Sequence, residues 1–354
     1  MVDKKRKAIA YWIFLGIAML IIQVIIGGIT RLTGSGLSIT EWKPIMGALP
    51  PLSETEWQTV FNEYQKIAQY KYLNQHFVLS DFKFIFFWEW FHRLWARLIG
   101  FVFLIPFIYF IVKKHFSNWM IIPLSVLFLL GALQGTIGWI MVKSGLNETD
   151  LYVSHIRLAV HFISAMVLIS YALVFYLKIS LSANSYINQP NISRGLVFIV
   201  IVVSIQLVYG AFMAGLKAAP IATTFPDING SFFPEYSITK GGFLHNIIYN
   251  KLIVHFIHRT LAYAIAIFIG IWWWKAKNIS FSIPFNRARS IIVLLVFVQI
   301  FLGIFTLING GSMNAGKFGV YEWLALFHQI TGMLLLLSLV SAIYISGRTS
   351  VVMK

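Results

Sequence analysis

The chain of 354 residues contains no cysteine. That excludes disulfides, thiolate metal centres, iron–sulfur clusters and thioether-linked haem. Any metal centre must draw on histidine, carboxylate, methionine or main chain. Charge is almost as scarce, with 11% of residues charged and 58% hydrophobic, where a soluble domain carries roughly a quarter charged. Acidic residues are the rarest charges, 12 against 28 Lys and Arg, for a formal net charge of +16. Such a balance invites a nucleic-acid reading, but the basic residues are scattered between apolar runs and form no basic face or motif. The expected class is an all-α integral membrane protein, a helix bundle surrounded by lipid, with no nucleic-acid partner.

Eight apolar runs are long enough to span a bilayer, near residues 10–30, 84–112, 120–142, 154–177, 195–215, 250–274, 290–309 and 322–346. The first follows a short basic start and runs through Ile29 without a small-residue cleavage site, so it is expected to stay as a span. No Arg- and Ser-rich transit peptide precedes it, which favours a bacterial protein. Lys and Arg cluster at KKRK, Lys113–Lys114, residues 275–289 and the final GRTSVVMK, with Asp3 the sole acid among them. Both termini are therefore expected on the cytoplasmic side, and loops 31–83 and 216–249 on the outer side. In the first loop Trp57, Val60, Phe61, Tyr64, Ile67 and Ala68 recur at helical spacing. They predict an amphipathic helix, lying on the outer membrane surface or packed on the loop itself.

The chain repeats. Q-x-x-x-G occurs at Gln23/Gly27, Gln134/Gly138, Gln206/Gly210 and Gln299/Gly303, on alternate spans. WFHRLWARLIG in span two answers FIHRTLAYAIA in span six, and LAVHFISAM in span four answers ALFHQITGM in span eight. Spans one to four thus align with five to eight in the same orientation, as two pseudo-symmetric four-helix bundles, 1–180 and 181–354, about an axis along the membrane normal.

Four of the nine histidines, His92, His161, His258 and His328, fall at matching positions of this repeat. Each lies eight to ten residues into its span, ~12–15 Å below the outer helix end. The residue at i+4 is Ala96, Ala165, Ala262 or Gly332, which leaves space for a flat partner. One membrane histidine is ordinarily a hydrogen-bonded structural residue; four at equivalent places point to haem held between facing helices, with His92 paired to His161 and His258 to His328. Zinc or copper prefers more numerous, clustered ligands. Arg93 and Arg259 follow the first histidine of each half, where they can meet a haem propionate, form an ion pair or snorkel to the headgroups. His155 is expected to be solvated at the start of span four, and His255 lies one turn above His258. His76, His115 and His245 read as surface residues.

The halves differ at one position. Glu89 stands three residues before His92, where the second half has His255 before His258. A carboxylate there can accept a proton or stabilise positive charge, or can neutralise Arg93 at i+4.

GGITRLTGSGLSITEWKPIMGALPP at 27–51, FKFIFFWEWFHRLWARLIG at 82–100 and the later HR and HQ spans resemble haem A synthases along nearly the whole chain. The long first loop and the lack of cysteine look like the alphaproteobacterial and mitochondrial branch. The resemblance implies an enzyme of the bacterial inner membrane that oxidises a ring methyl of haem O to the formyl of haem A for cytochrome oxidase. It passes through an alcohol and a hydrated aldehyde that loses water. The resemblance also implies a haem b cofactor on His258 and His328, and substrate haem O at His92 and His161. It implies, too, that Glu89 is the catalytic carboxylate, and a proline is expected at position 155 in relatives. Haem O synthase and cytochrome oxidase assembly factors are the partners it suggests, with a homo-oligomer left open. Two other readings remain: a non-enzymatic b-type cytochrome, which has no need of Glu89 in one half only, and a transporter, which more often shows inverted repeats and broken spans.

Overall fold

The computed structural model describes residues 2–41, 49–234, 241–278, 282–313 and 318–347. Residues 42–48 of the first-loop motif, the side chain of Asp3, residues 279–281 and the C-terminal basic segment from 348 lie outside that range.

Lipid offers no hydrogen bonds to the main chain, so each apolar run closes its own as a helix. Eight helices among the described residues are long and apolar enough to cross a membrane, making this a multi-pass membrane protein. They are α1 (Val2–Leu32), α3 (Leu79–Val112), α4 (Asn118–Lys143), α5 (His155–Ser180), α6 (Pro190–Gly215), α8 (Lys251–Ala276), α9 (Ile283–Ile308) and α10 (Val320–Ser346). Two short helices, α2 (Glu54–Tyr64) and α7 (Gly242–Tyr249), lie in the two long loops. Polar residues set several starts. Asn250 accepts from the N–H groups of Leu252 and Ile253 at the head of α8, Ser282 caps α9, and Pro190 opens α6 where no N–H is needed.

α1 packs on α3 and α5, and α4 on α5; likewise α6 packs on α8 and α10, and α9 on α10. Exchanging α1, α3, α4 and α5 for α6, α8, α9 and α10 maps one set of contacts onto the other, consistent with the internal repeat. α5 against α6, α10 against α1 and α5 against α10 join the two sets. The largest apolar cluster includes Ile9, Phe110, Leu124, Ile192, Phe285 and Ile345, and so fills the end of the bundle that carries both termini. The four repeat histidines sit nearer the opposite end, where the long loops lie.

α3 begins at Leu79 rather than near residue 84. Its extra turns meet α2, whose first turn is closed by reciprocal capping between Ser53 and Glu56. The helix expected in this loop does form, and its apolar side rests on α3 and the loop. Phe61 and Tyr64 stack on Phe82 with ring centres 5.1 and 5.2 Å apart. Tyr64 is fully buried. Its hydroxyl donates to Gln69 Oε1 at 3.0 Å and accepts from Asn74 Nδ2 at 2.7 Å. Burial holds the phenol above its ordinary range, with the Asn74 bond opposing, so it remains a neutral donor.

Tyr64→Phe removes the hydroxyl and leaves the buried Gln69 and the Asn74 amide without it. The expected local destabilisation is about 1–3 kcal/mol. Amide hydrogen exchange over 54–77 should accelerate by one to two orders of magnitude while exchange in α5 and α10 stays unchanged.

Candidate functional site

The Q-x-x-x-G repeat is a seat for each histidine ring. A Cβ placed on Gly27 would come 3.0 Å from His92 Cε1; on Gly138, 2.8 Å from His161 Cε1; on Gly210, 3.3 Å from His258 Cε1; on Gly303, 3.0 Å from His328 Cε1. Each imidazole therefore lies against the backbone of the neighbouring helix, where only glycine leaves room. One turn earlier the glutamine reaches the same ring. Gln23 Nε2 is 3.2 Å from His92 Nδ1, Gln134 Nε2 is 3.2 Å from His161 Nδ1, Gln206 Nε2 is 3.4 Å from His258 Nε2 and Gln299 Nε2 is 3.3 Å from His328 Nε2.

The small residues Ala96, Ala165, Ala262 and Gly332, expected to leave space for a flat partner, are a separate feature from these seats, which make room for the imidazole itself. A helical side chain leans toward its own N-terminal turn, so its ring needs room on a facing helix. Ala96 is exposed, and Gly332 faces the Gln299 side chain, whose Nε2 is 3.3 Å from a Cβ built there. The spacing of Q-x-x-x-G, one helical turn, was the signal for the seats.

In the second half α8 and α10 bring His258 and His328 together, ring centres 6.3 Å apart and planes at 74°. A metal–imidazole bond of about 2 Å on each side, with roughly 1 Å from ring nitrogen to ring centre, spans just over 6 Å. Nδ1 of each ring is buried without a partner. Two imidazoles from facing helices at this spacing fit a bis-histidine haem. Among the described residues no group of three or more His, Asp or Glu could hold a bare metal ion. In the first half α3 and α5 carry His92 and His161.

Glu89 is buried, 3% exposed, and engaged on both oxygens. Oε1 accepts from Arg93 Nη2 at 2.7 Å; Oε2 accepts from Ser38 Oγ at 2.7 Å and the Ile39 N–H at 2.9 Å. Arg93 also donates to the Ile39 carbonyl at 3.2 Å. The ion pair expected from i,i+4 spacing is thus present, and it is tied to the first-loop motif. Arg259 differs from Arg93: its Nη2 donates to the carbonyls of Thr224, Pro226 and Asp227 at 3.0, 3.0 and 2.8 Å, holding the second long loop, while Nη1 is buried without a partner.

His155 is not solvated. It is 9% exposed, its Nε2 lies 3.0 Å from the Ile248 carbonyl, and Phe212 and Tyr249 meet its ring edge-on. Helix α6 and the second long loop, distant in sequence, cover it. His255 is 1% exposed with neither ring nitrogen partnered. His76 and His245 are exposed as expected, whereas His115 is half-buried against Phe110 with Nδ1 unpartnered.

Residues 10–340 match the model of a family described as cytochrome oxidase assembly protein. The chain is 38% identical over 340 residues to a haem A synthase of Flavobacterium johnsoniae, covering 94% of this chain and 96% of that protein. It is 40% identical over 314 residues to a haem A synthase of Nitrosospira multiformis, covering 86% of each. It is also 40% identical over 319 residues to one of Bartonella henselae, covering 88% and 87%. The chain belongs to the haem A synthase family.

A separate cavity of about 50 Å³ lies where α1, α6 and α10 end at the loop side, lined by Arg31, Lys217, Tyr321 and Glu322 among others. Burial, with Arg31 adding, pushes the Lys217 ammonium down to about 8, and Glu322 opposes the shift.

Gly303→Val should displace His328 from its seat and lower bound haem per chain at least twofold in the pyridine haemochrome assay. Gly131→Val serves as control, since a Cβ at Gly131 meets nothing within 4 Å; it should retain wild-type haem.

Proposed function

We propose that this chain oxidises a ring methyl of haem O to the formyl group of haem A, in the assembly of cytochrome oxidase. The observation that carries the reading is the set of four histidine seats, with a buried carboxylate, Glu89, above one seat only. Membership of the haem A synthase family supports it. Residues 1–180 form the substrate half and 181–354 the cofactor half, in the bacterial inner membrane with both termini cytoplasmic. His258 and His328 would hold a resident haem b, with the Arg259 guanidinium available to its propionates. Haem b supplies one-electron redox chemistry when bound.

The substrate haem O would be held between α3 and α5 by His92 and His161, with Arg93 available to its propionates. The protein's part is orientation and electrostatics. The seats fix the ring planes of the histidines. Glu89, one turn from His92 on α3, places a negative charge where positive charge develops at the substrate edge. Arg93, Ser38 and the Ile39 N–H hold that carboxylate still. Preorganised groups of this kind contribute because they need not reorient during reaction.

Cells that express the chain with a haem O source should accumulate haem A, identified by extraction and mass analysis. Glu89→Ala should bind haem at wild-type level and lower haem A yield at least tenfold. Full haem A yield from that variant removes Glu89 from the chemistry, and absence of haem A from the wild-type chain contradicts the activity.

A further inference from the structure

Helices α1 and α6 occupy matching places in the repeat and end in the same turn. The Ser35 N–H donates to the Thr30 carbonyl at 2.9 Å and the Gly34 N–H to that of Arg31 at 3.2 Å; the Ala218 N–H donates to the Met213 carbonyl at 3.0 Å and the Lys217 N–H to that of Ala214 at 3.4 Å. Residues 34 and 217 are thus equivalent, at the spacing that relates Gly27 to Gly210. Both are left-handed, with φ of +70° and +51°. The first half has glycine there, the residue this closing turn favours. The second half has a lysine, whose Cβ opposes that backbone. A side chain held in such a conformation where glycine would serve points to a use for that side chain.

Lys217 lines the cavity of about 50 Å³ at the loop-side ends of α1, α6 and α10. Arg31 of the first half lines it too, one turn outward from Gly27. The repeat counterpart of Arg31 is Ala214, so neither cation has a matching cation in the other half. Among the described residues, neither cationic head has a hydrogen-bond or ion-pair partner. Lys217 Nζ stands 5.1 Å from the centre of the Tyr152 ring, and the nearby Arg31 charge repels it. Glu322 is the one carboxylate of the lining; it is 1% exposed, and its Oε2 accepts from the Gly319 N–H at 2.9 Å. Desolvated charges are costly unless paired, and here two cations face one carboxylate. A single water needs roughly 10–15 Å³, so the cavity has room for several waters or for one small oxyanion. Water leaves the excess positive charge in place, whereas an oxyanion cancels it.

We propose that this cavity binds a small oxyanion, a carboxylate or phosphate, between Arg31 of the first half and Lys217 of the second, and that the anion clamps the outer ends of α1 and α6 together. Two sources carry this chemistry: a free anion, or a propionate of a haem bound in one of the halves. The free-anion form is independent of the haem reading given above; the propionate form rests on it. In either form Lys217 and Arg31 join halves that otherwise meet through helix packing.

The test uses the full chain as purified, in detergent, with a bulky sulfonate as background anion at fixed ionic strength. Thermal unfolding is followed while phosphate or acetate is titrated in, and bound haem is measured alongside. With a free anion as ligand, the wild-type midpoint should rise saturably by several degrees. Lys217→Gly and Arg31→Gln should each abolish that rise with haem content unchanged, and Lys217→Arg should keep it. With a propionate as ligand, added anion should have no effect on the wild-type chain. Lys217→Gly and Arg31→Gln should then lower bound haem at least twofold, and Lys217→Arg should retain it. Lys217→Gly relieves the left-handed backbone, so a lysine with no ligand to hold predicts only a more stable chain with wild-type haem. That result, with no response to either anion, overturns the proposal. A phosphate response that survives in full in both Lys217→Gly and Arg31→Gln places the anion elsewhere and overturns it as well.

Discussion

The structure turns on the contact between an imidazole ring and a helix backbone that bears no Cβ. At Gly27, Gly138, Gly210 and Gly303 the ring carbon of a facing histidine stands 2.8–3.3 Å from where a Cβ would be. Few side-chain atoms sit that close to a real Cβ, so each position is confined to glycine as long as the histidine keeps its place. The glutamine one turn earlier then closes on the ring. Both residues of the pair lie on α1, α4, α6 or α9 and serve a histidine on α3, α5, α8 or α10. Packing of each seat helix against its partner therefore sets the position of the repeat histidines, and the apolar cluster at the terminal end of the bundle supports that packing.

Buried charge is handled by the same economy. Glu89 and Arg93 form a largely buried carboxylate–guanidinium pair, their side chains 3% and 18% exposed. Breaking such a pair leaves an uncompensated charge, which explains why the carboxylate also takes the Ser38 hydroxyl and the Ile39 N–H. The first-loop motif is thereby fastened to α3 within one turn of His92. A charge so fully bonded is fixed in direction, a property suited to stabilising charge on a bound macrocycle. The second half has nothing equivalent: His255 occupies the matching position with neither nitrogen bonded, and Arg259 holds the loop through carbonyls instead.

Much of this was legible in the sequence. Length and apolarity marked the eight spans, and the periodic recurrence of Gln, Gly and His marked the repeat, because both depend on local pattern. What the sequence concealed was which helix faced which. That each Q-x-x-x-G glycine faces a histidine ring on a neighbouring helix shows only once the helices are packed. His155 read as solvated because nothing local predicts that Phe212 and Tyr249 cover it. The approach of the Ser164 hydroxyl to Gln134 Oε1, 2.6 Å, was equally invisible, since a serine three residues after a histidine carries no signal until α4 is seen against α5.

Pairing within each half is the central claim, and haem content per chain measured across single histidine variants tests it most directly. The account predicts that His258→Ala and His328→Ala each remove the same haem and leave the second, while His92→Ala removes only that second one. Loss of both haems from His258→Ala, or loss of one and the same haem from His92→Ala and His328→Ala, would contradict it.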